Sequence, residues 1–422
     1  MNDPYSISIK ELANGLRIAV APDKGTAMVA VNVLYDTGAR DESRELTGIA
    51  HLFEHLMFGA SAHVPSFEDE LEHAGGRCNA WTSNDFTNFY DILPAQNIAT
   101  AFHLESDRMC YLNVTEQALE VQRGVVTEEF KQQCLDRPYG DLFHHLRRLC
   151  YSGAHPYSWP VIGLEPAHIA NATLADAQQW YHRHYGPQNA ILTVCGNVEP
   201  EQVFALAEEW FGSLPAGPKT ERHLPAPGFP EEDVYEEVHG PVPSTFLVMA
   251  IPMDVHGTKG YYAADVVSDI LSAGRSARYN DSFIHGRARG LILAADASII
   301  GSEHEGLFTI MARLAEDSPE SIREARELLL DEARRLVEPG NITDREWQRS
   351  FNNFEATFRF SNNNYARRAT NIALSIYHGT PLDNAVTRHR KLTIDDIRAE
   401  AERLFFKAPI VTLAYRPDGS GE

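Results

Sequence analysis

Near its middle the chain carries the stretch Leu214-Pro-Ala-Gly-Pro-Lys-Thr-Glu-Arg-His-Leu-Pro-Ala-Pro-Gly-Phe-Pro230, with five prolines and two glycines. Such a segment cannot lie inside a helix or a central strand, because proline lacks the backbone donor and fixes its own φ. It therefore divides the 422 residues almost in half and predicts a domain over 1–214, a linker over 215–230 and a second domain over 231–422. The two halves end alike. Thr173-Leu-Ala-Asp176 and Thr393-Ile-Asp-Asp396 each place a hydroxyl three residues before a carboxylate, a helix-starting signal close to the capping box. Each is followed by a helix and an apolar strand, Ala190–Cys195 and Ile410–Ala414, and the two threonines lie 220 residues apart. This correspondence reads as a duplication.

The halves also open alike. Gly15–Val20 and Ala27–Leu34 read as strands in the first, and Thr245–Ile251 reads as a strand before a helical pattern from Gly260 to Leu271 in the second. Longer helices are expected over Phe67–Ala74, Asn97–Met109, Thr115–Asp136, Pro319–Val337 and Asp344–Phe358. Strands and helices without strict alternation predict an α+β class: two homologous domains, each a largely antiparallel sheet with helices packed on it. Composition is ordinary for a globular chain, at 43% hydrophobic and 23% charged residues. The net charge of −22 disfavours nucleic acid and anionic membranes as partners and suits solubility. No apolar run reaches the roughly 18 residues of a membrane span. The first residues show no signal-peptide pattern, and five scattered cysteines without a C-x-x-C pair suit reduced thiols, so a cytoplasmic location is expected.

One motif carries chemistry. His51-Leu-Phe-Glu-His55 lies in Thr47–Phe58, a stretch free of proline and expected to be helical. Residues four apart share a helix face, so both imidazoles can aim at one ion, with Glu54 on the adjoining edge. Two imidazoles and a carboxylate suit zinc with one position left for water, and a neighbouring carboxylate can take that water's proton. The order H-x-x-E-H is that of the inverted zinc peptidases. Glu128 and Glu129 offer the third ligand on another helix; adjacent helical positions point about 100° apart, so only one can serve, and the spacing leaves the choice open.

Several further motifs stand in the same order as in a known family. They are Asn14-Gly-Leu16, Gly38-Ala-Arg-Asp41, Thr47–Phe58, Gly75-Gly76 with Asn79–Tyr90, Arg123–Glu129, His155-Pro-Tyr157 and Gly163. Over nearly its whole length the chain resembles the pitrilysin family of zinc peptidases, in the small-subunit branch that includes mitochondrial processing peptidase. The resemblance implies that His51, His55 and Glu129 bind zinc and that Glu54 is the general base. The family's ligand carboxylate closes an E-x6-E pattern whose first position is Gln122 here, a departure at a residue that supports the site from behind its ligands. The resemblance also implies that Asn79, Ala80, Trp81 and Thr82 lie on an edge strand to which an extended peptide adds, with Asn79 holding the peptide or its scissile carbonyl.

A second departure lies in the C-terminal half, where the family carries an Arg and a Tyr seven residues apart that contact substrate and the oxyanion. Aligned on Arg289-Gly290-Leu291, those positions hold Gly286 and Leu293, neither of which has a side-chain donor. Arg287 or Arg289 could stand in only in another register. The implied protein is the zinc-bearing half of a heterodimer that hydrolyses extended peptides, completed by a homologous partner. The alternatives are a catalytically silent peptide-binding or assembly subunit and a metal-dependent hydrolase of non-peptide esters or amides.

Overall fold

The computed structural model describes residues 5–286 and 290–419, so Arg287 and Arg289 lie outside the described residues. The chain forms two compact α+β units, each built on one mixed sheet. The first comprises Met1–Phe130, Trp159–Leu224 and Arg359–Leu382; the second comprises Lys131–Ser158, Pro225–Phe358 and Asp383–Glu422. Each unit thus packs a segment from outside the stretches 1–214 and 231–422 against its own sheet. The chain passes between units at Leu224/Pro225, but each unit also takes a segment from the opposite half. Proline and glycine reveal where regular structure must stop. They do not reveal which sheet a distant amphipathic helix will cover.

The first unit holds β1 (Ser8–Glu11), β2 (Arg17–Pro22), β3 (Met28–Tyr35), β4 (Arg77–Thr82), β5 (Thr87–Pro94) and β6 (Ala190–Gly196). Their order is β1-β2-β6-β3-β5-β4; β2 and β6 pair in parallel and all other neighbours are antiparallel. β3 and β6 are almost wholly buried, which their near-continuous apolar runs require of central strands covered on both faces. On one face lie helices α1 (Ile49–Leu56), α2 (Glu116–Phe130) and α3 (Leu174–His184). On the other lies α4 (Tyr365–Tyr377), whose Ala369, Ile372 and Ala373 recur at helical spacing and pack on Ala19, Ala21, Leu34, Ile191 and Cys195.

In the second unit β7 (Val234–Gly240), β8 (Phe246–Met253), β9 (Ile292–Ile300), β10 (Gly306–Leu314) and β11 (Val411–Pro417) are ordered β7-β11-β8-β10-β9. Here β7 and β11 form the parallel pair. The scheme repeats that of β2-β6-β3-β5-β4 strand for strand. Both expected helix starts are full capping boxes, Thr173 with Asp176 and Thr393 with Asp396. All five cysteines are free thiols. Among the described residues no helix is long and apolar enough to cross a membrane.

Candidate metal centre

The segment between β3 and α1 is built to hold the start of that helix. Gly48 caps α1 at φ +89°, where a side chain's Cβ would come within 2.9 Å of the Ile162 carbonyl. Gly163, at φ +100°, meets Thr47 equally closely, so two backbones touch where only glycines fit. Thr47 Oγ1 accepts from Leu164 N at 2.8 Å. The Glu42 carboxylate accepts from Ala50 N and from Trp159 Nε1, both at 2.9 Å. Burial pushes this carboxyl up to about 8 against the pull of those donors. Arg40, almost wholly buried, pairs with Asp36 at 2.6 Å and Asp85 at 3.0 Å, while Asp41 is held by Arg222. The Gly38-Ala-Arg-Asp41 motif is thus scaffolding.

α1 buries Ile49, Ala50, Leu52, Phe53 and Leu56, and the Phe53 ring packs on Tyr181 and Tyr185. Its other side carries His51, Glu54 and His55, all half-buried. Their two imidazoles lie nearly perpendicular, with centroids 4.9 Å apart. α2 brings Glu129 to them. Its Oε2 stands 3.7 Å from His51 Nε2 and 3.5 Å from His55 Nε2, whereas Glu128 is exposed. The structure thus makes the choice between the two glutamates that spacing left open. Gln122, two turns before Glu129 on α2, hydrogen-bonds the His55 ring. Thr82 Oγ1 at the end of β4 donates to Glu54 Oε2.

The donor set fits zinc. Tetrahedral ligands about 2.1 Å from an ion lie about 3.4 Å from one another, close to the two separations seen here. One ligand atom from each of His51, His55 and Glu129 lies within 4.8 Å of the others. Burial pushes His51 down to about 4, with His55 adding to the effect, and burial also lowers His55 against the opposing pull of Glu129 and Gln122. Both rings are therefore neutral at pH 7, the form that binds metal. Burial raises the Glu54 carboxyl; the Thr82 hydrogen bond opposes that rise and Glu129 adds to it. A carboxylate so raised is a better proton acceptor at neutral pH.

Among the described residues β4 is an edge strand that pairs only with β5, in the register Asn79↔Tyr90, Ala80↔Phe89 and Trp81↔Asn88. Its side chains alternate. Thr82 reaches the α1 face, while Trp81 packs toward Ala373 of α4 and Asn79 lines a cleft shared with that helix. Asn79 Oδ1 accepts from Ala80 N at 2.8 Å. Its side chain sits on the α4 side of the sheet, at the edge where an added peptide strand would lie. Sequence reasoning also missed Glu42 and the buried Glu105–Arg108 pair, whose guanidinium lies 4.1 Å from the Phe67 ring centre. No local sequence pattern sets these charged residues apart from surface charge.

Two family models match the chain. "Insulinase (Peptidase family M16)" covers residues 17–151 and "Peptidase M16 inactive domain" covers 171–354. The chain belongs to the M16 peptidase family. The second description falls on the part of the chain that lacks the His-x-x-Glu-His motif. The zinc protease PqqE of Helicobacter pylori is 31% identical over 273 residues, 63% of this chain and 61% of PqqE. The mitochondrial-processing peptidase subunit beta of Blastocladiella emersonii is 27% identical over 246 residues, 58% of this chain and 52% of that subunit. Less than two thirds of either relative is spanned. The crystal structure of a protease from Helicobacter pylori superimposes with a TM-score of 0.87 at 26% identity, covering 98% of this chain and 99% of that one.

Proposed function

We propose that this chain is a zinc-dependent endopeptidase subunit acting on extended peptides. The observation that carries the proposal is the convergence of His51, His55 and Glu129 on one point, with Glu54 beside it. Zinc, when bound, supplies a Lewis-acid centre that makes a coordinated water a nucleophile at neutral pH. Glu54, oriented by the Thr82 hydroxyl, takes the proton from the attacking water and returns it to the departing amine as the C–N bond breaks. Gln122 keeps the His55 ring in its orientation with a neutral hydrogen bond. The open edge of β4, ending at Thr82 beside Glu54, offers backbone groups to a peptide as an added strand along Asn79–Thr82.

The reading includes a homologous partner that supplies the oxyanion donors, so the active form is a heterodimer. Gly286 and Leu293 have no side-chain donor to offer, and one relative is itself named a beta subunit. Five free thiols suit a reducing, cytoplasmic compartment. The test is peptide cleavage by the purified chain, alone and with a co-expressed homologue, with and without a chelator. Loss on chelation and in Glu54→Gln supports the reading; cleavage surviving both overturns it. Equal rates with and without the homologue overturn the partner.

A further inference from the structure

On the sheet face opposite the His51–His55 centre, α4 and the edge pair β4–β5 flank an open cleft of about 630 Å³. Two guanidiniums line it, Arg77 from β4 and Arg367 from the first turn of α4. Neither makes an ion pair or a side-chain hydrogen bond among the described residues, and none of the lining residues is acidic. Both arginines are exposed, and in a chain of net charge −22 two neighbouring guanidiniums without an ion pair among the described residues make this a locally positive patch. The rest of the lining suits the same ligand chemistry. Asn364 caps α4 by accepting from Arg367 N at 3.1 Å, so the positive end of a thirteen-residue helix opens on the cleft. Trp81 and Tyr90 supply an apolar wall.

We propose that this cleft is an anion subsite that receives a carboxylate side chain of the peptide laid along β4. The proposal rests on the reading of β4 as the substrate edge. A peptide paired with that edge alternates its side chains as β4 does. One set of residues faces the α1 side of the sheet. The intervening set faces the α4 side, where Arg77, Asn79 and Trp81 point. Substrates with Glu or Asp in the intervening set are therefore preferred, and the preference has a period of two residues. Arg can hold a carboxylate through two parallel hydrogen bonds, which makes the discrimination one of geometry as well as charge.

The test is a glutamate scan through an alanine-rich peptide that the assembled enzyme cleaves. KM is measured for each member, and binding to the Glu54→Gln enzyme is read separately by fluorescence anisotropy. The expected result is KM about tenfold lower at alternate positions, a ratio equivalent to about 1.4 kcal/mol. That pattern collapses toward flat in Arg77→Gln and in Arg367→Gln, each checked for an unchanged melt, and is partly restored in Arg367→Lys. A flat scan with peptides still bound and cleaved overturns the anion subsite alone. Peptides that are neither bound nor cleaved overturn the underlying peptidase reading. Inorganic phosphate separates the two sources of anion. Phosphate that raises KM only for the preferred glutamate peptides supports the subsite. Phosphate that binds the wild-type enzyme but not the Arg77→Gln/Arg367→Gln enzyme, with a flat scan, assigns the cleft to a free anion and overturns the peptide assignment.

Discussion

The two sheets share a pairing scheme but diverge in the helix that follows the corresponding strand. After β3 comes α1, eight residues long, with His51, Glu54 and His55 half-buried on one side. After β8 comes Lys259–Ser272, fourteen residues long, with eight of them buried, including Tyr262, Val266, Val267, Ile270 and Leu271. Its two carboxylates are already engaged: Asp265 holds His389 at 2.9 Å and Asp269 accepts from Ser350 at 2.8 Å. One helix keeps its polar groups open toward a carboxylate from another helix; the other spends its surface on core packing. Topology sets where a helix lies, and the side chains on its free face decide whether chemistry follows.

The sharpest way to break this comparison is to alter each helix in turn. Glu54→Gln is expected to lower kcat/KM by about 10²–10⁴, the range for loss of a general base, measured on a fluorogenic peptide with the assembled enzyme. Ser268→Ala, in the corresponding helix, should change it less than about twofold. A comparable loss from Ser268→Ala would mean that both units hold catalytic groups. Next in size, His51→Ala, His55→Ala and Glu129→Gln should each abolish stoichiometric zinc after dialysis, read by atomic absorption. Gln122→Glu, which places a charged acceptor on the His55 ring, should tighten zinc by about tenfold in a chelator competition. No change there would show that the neutral hydrogen bond already suffices.

Acid separates the units less. His184 in the first and His155 in the second are both buried and pushed down to about 4, chiefly by burial. Their folded values lie below the unfolded value of about 6.5, so each contributes stability that is complete above pH 6.5 and lost as pH falls through 4. Replacing either with Gln should flatten part of the fall in melting temperature over that window. Glu42 runs the other way. Its folded value is raised to about 8, so its contribution is complete below about pH 4.5 and lost as pH climbs toward 8. Glu42→Gln should therefore gain on the wild type as pH rises. The smallest effect is shared: Thr173→Ala and Thr393→Ala should each cost about 1 kcal/mol in denaturant melts.

Legibility followed range. The capping boxes, the helix around His51 and His55 and most strand cores were readable because each depends on neighbours within a few residues, where period and capping chemistry act. The α+β class and the repeated halves followed from those local signals. Three matters lay beyond that reach. Glu128 and Glu129 are equivalent in spacing, and only the packing of α2 against α1 turned Glu129 inward. Asn79 reads as an edge-strand residue, and the pleat of β4 set its side chain beside Arg77 on the α4 side. The exchanged segments, Lys131–Ser158 and Arg359–Leu382, belong to units that no linker signal could assign to them.

By itself, then, the amino-acid order determined the candidate ligand types, their helical spacing and the punctuation between halves, since these depend on dihedral preference and short-range periodicity. The tertiary structure alone decided which carboxylate meets the imidazoles, that Thr82 orients Glu54, and that two arginines nearly 300 residues apart share one cleft. Those outcomes depend on how buried faces fit together across the chain, and close packing is settled by contacts that a sequence pattern does not contain.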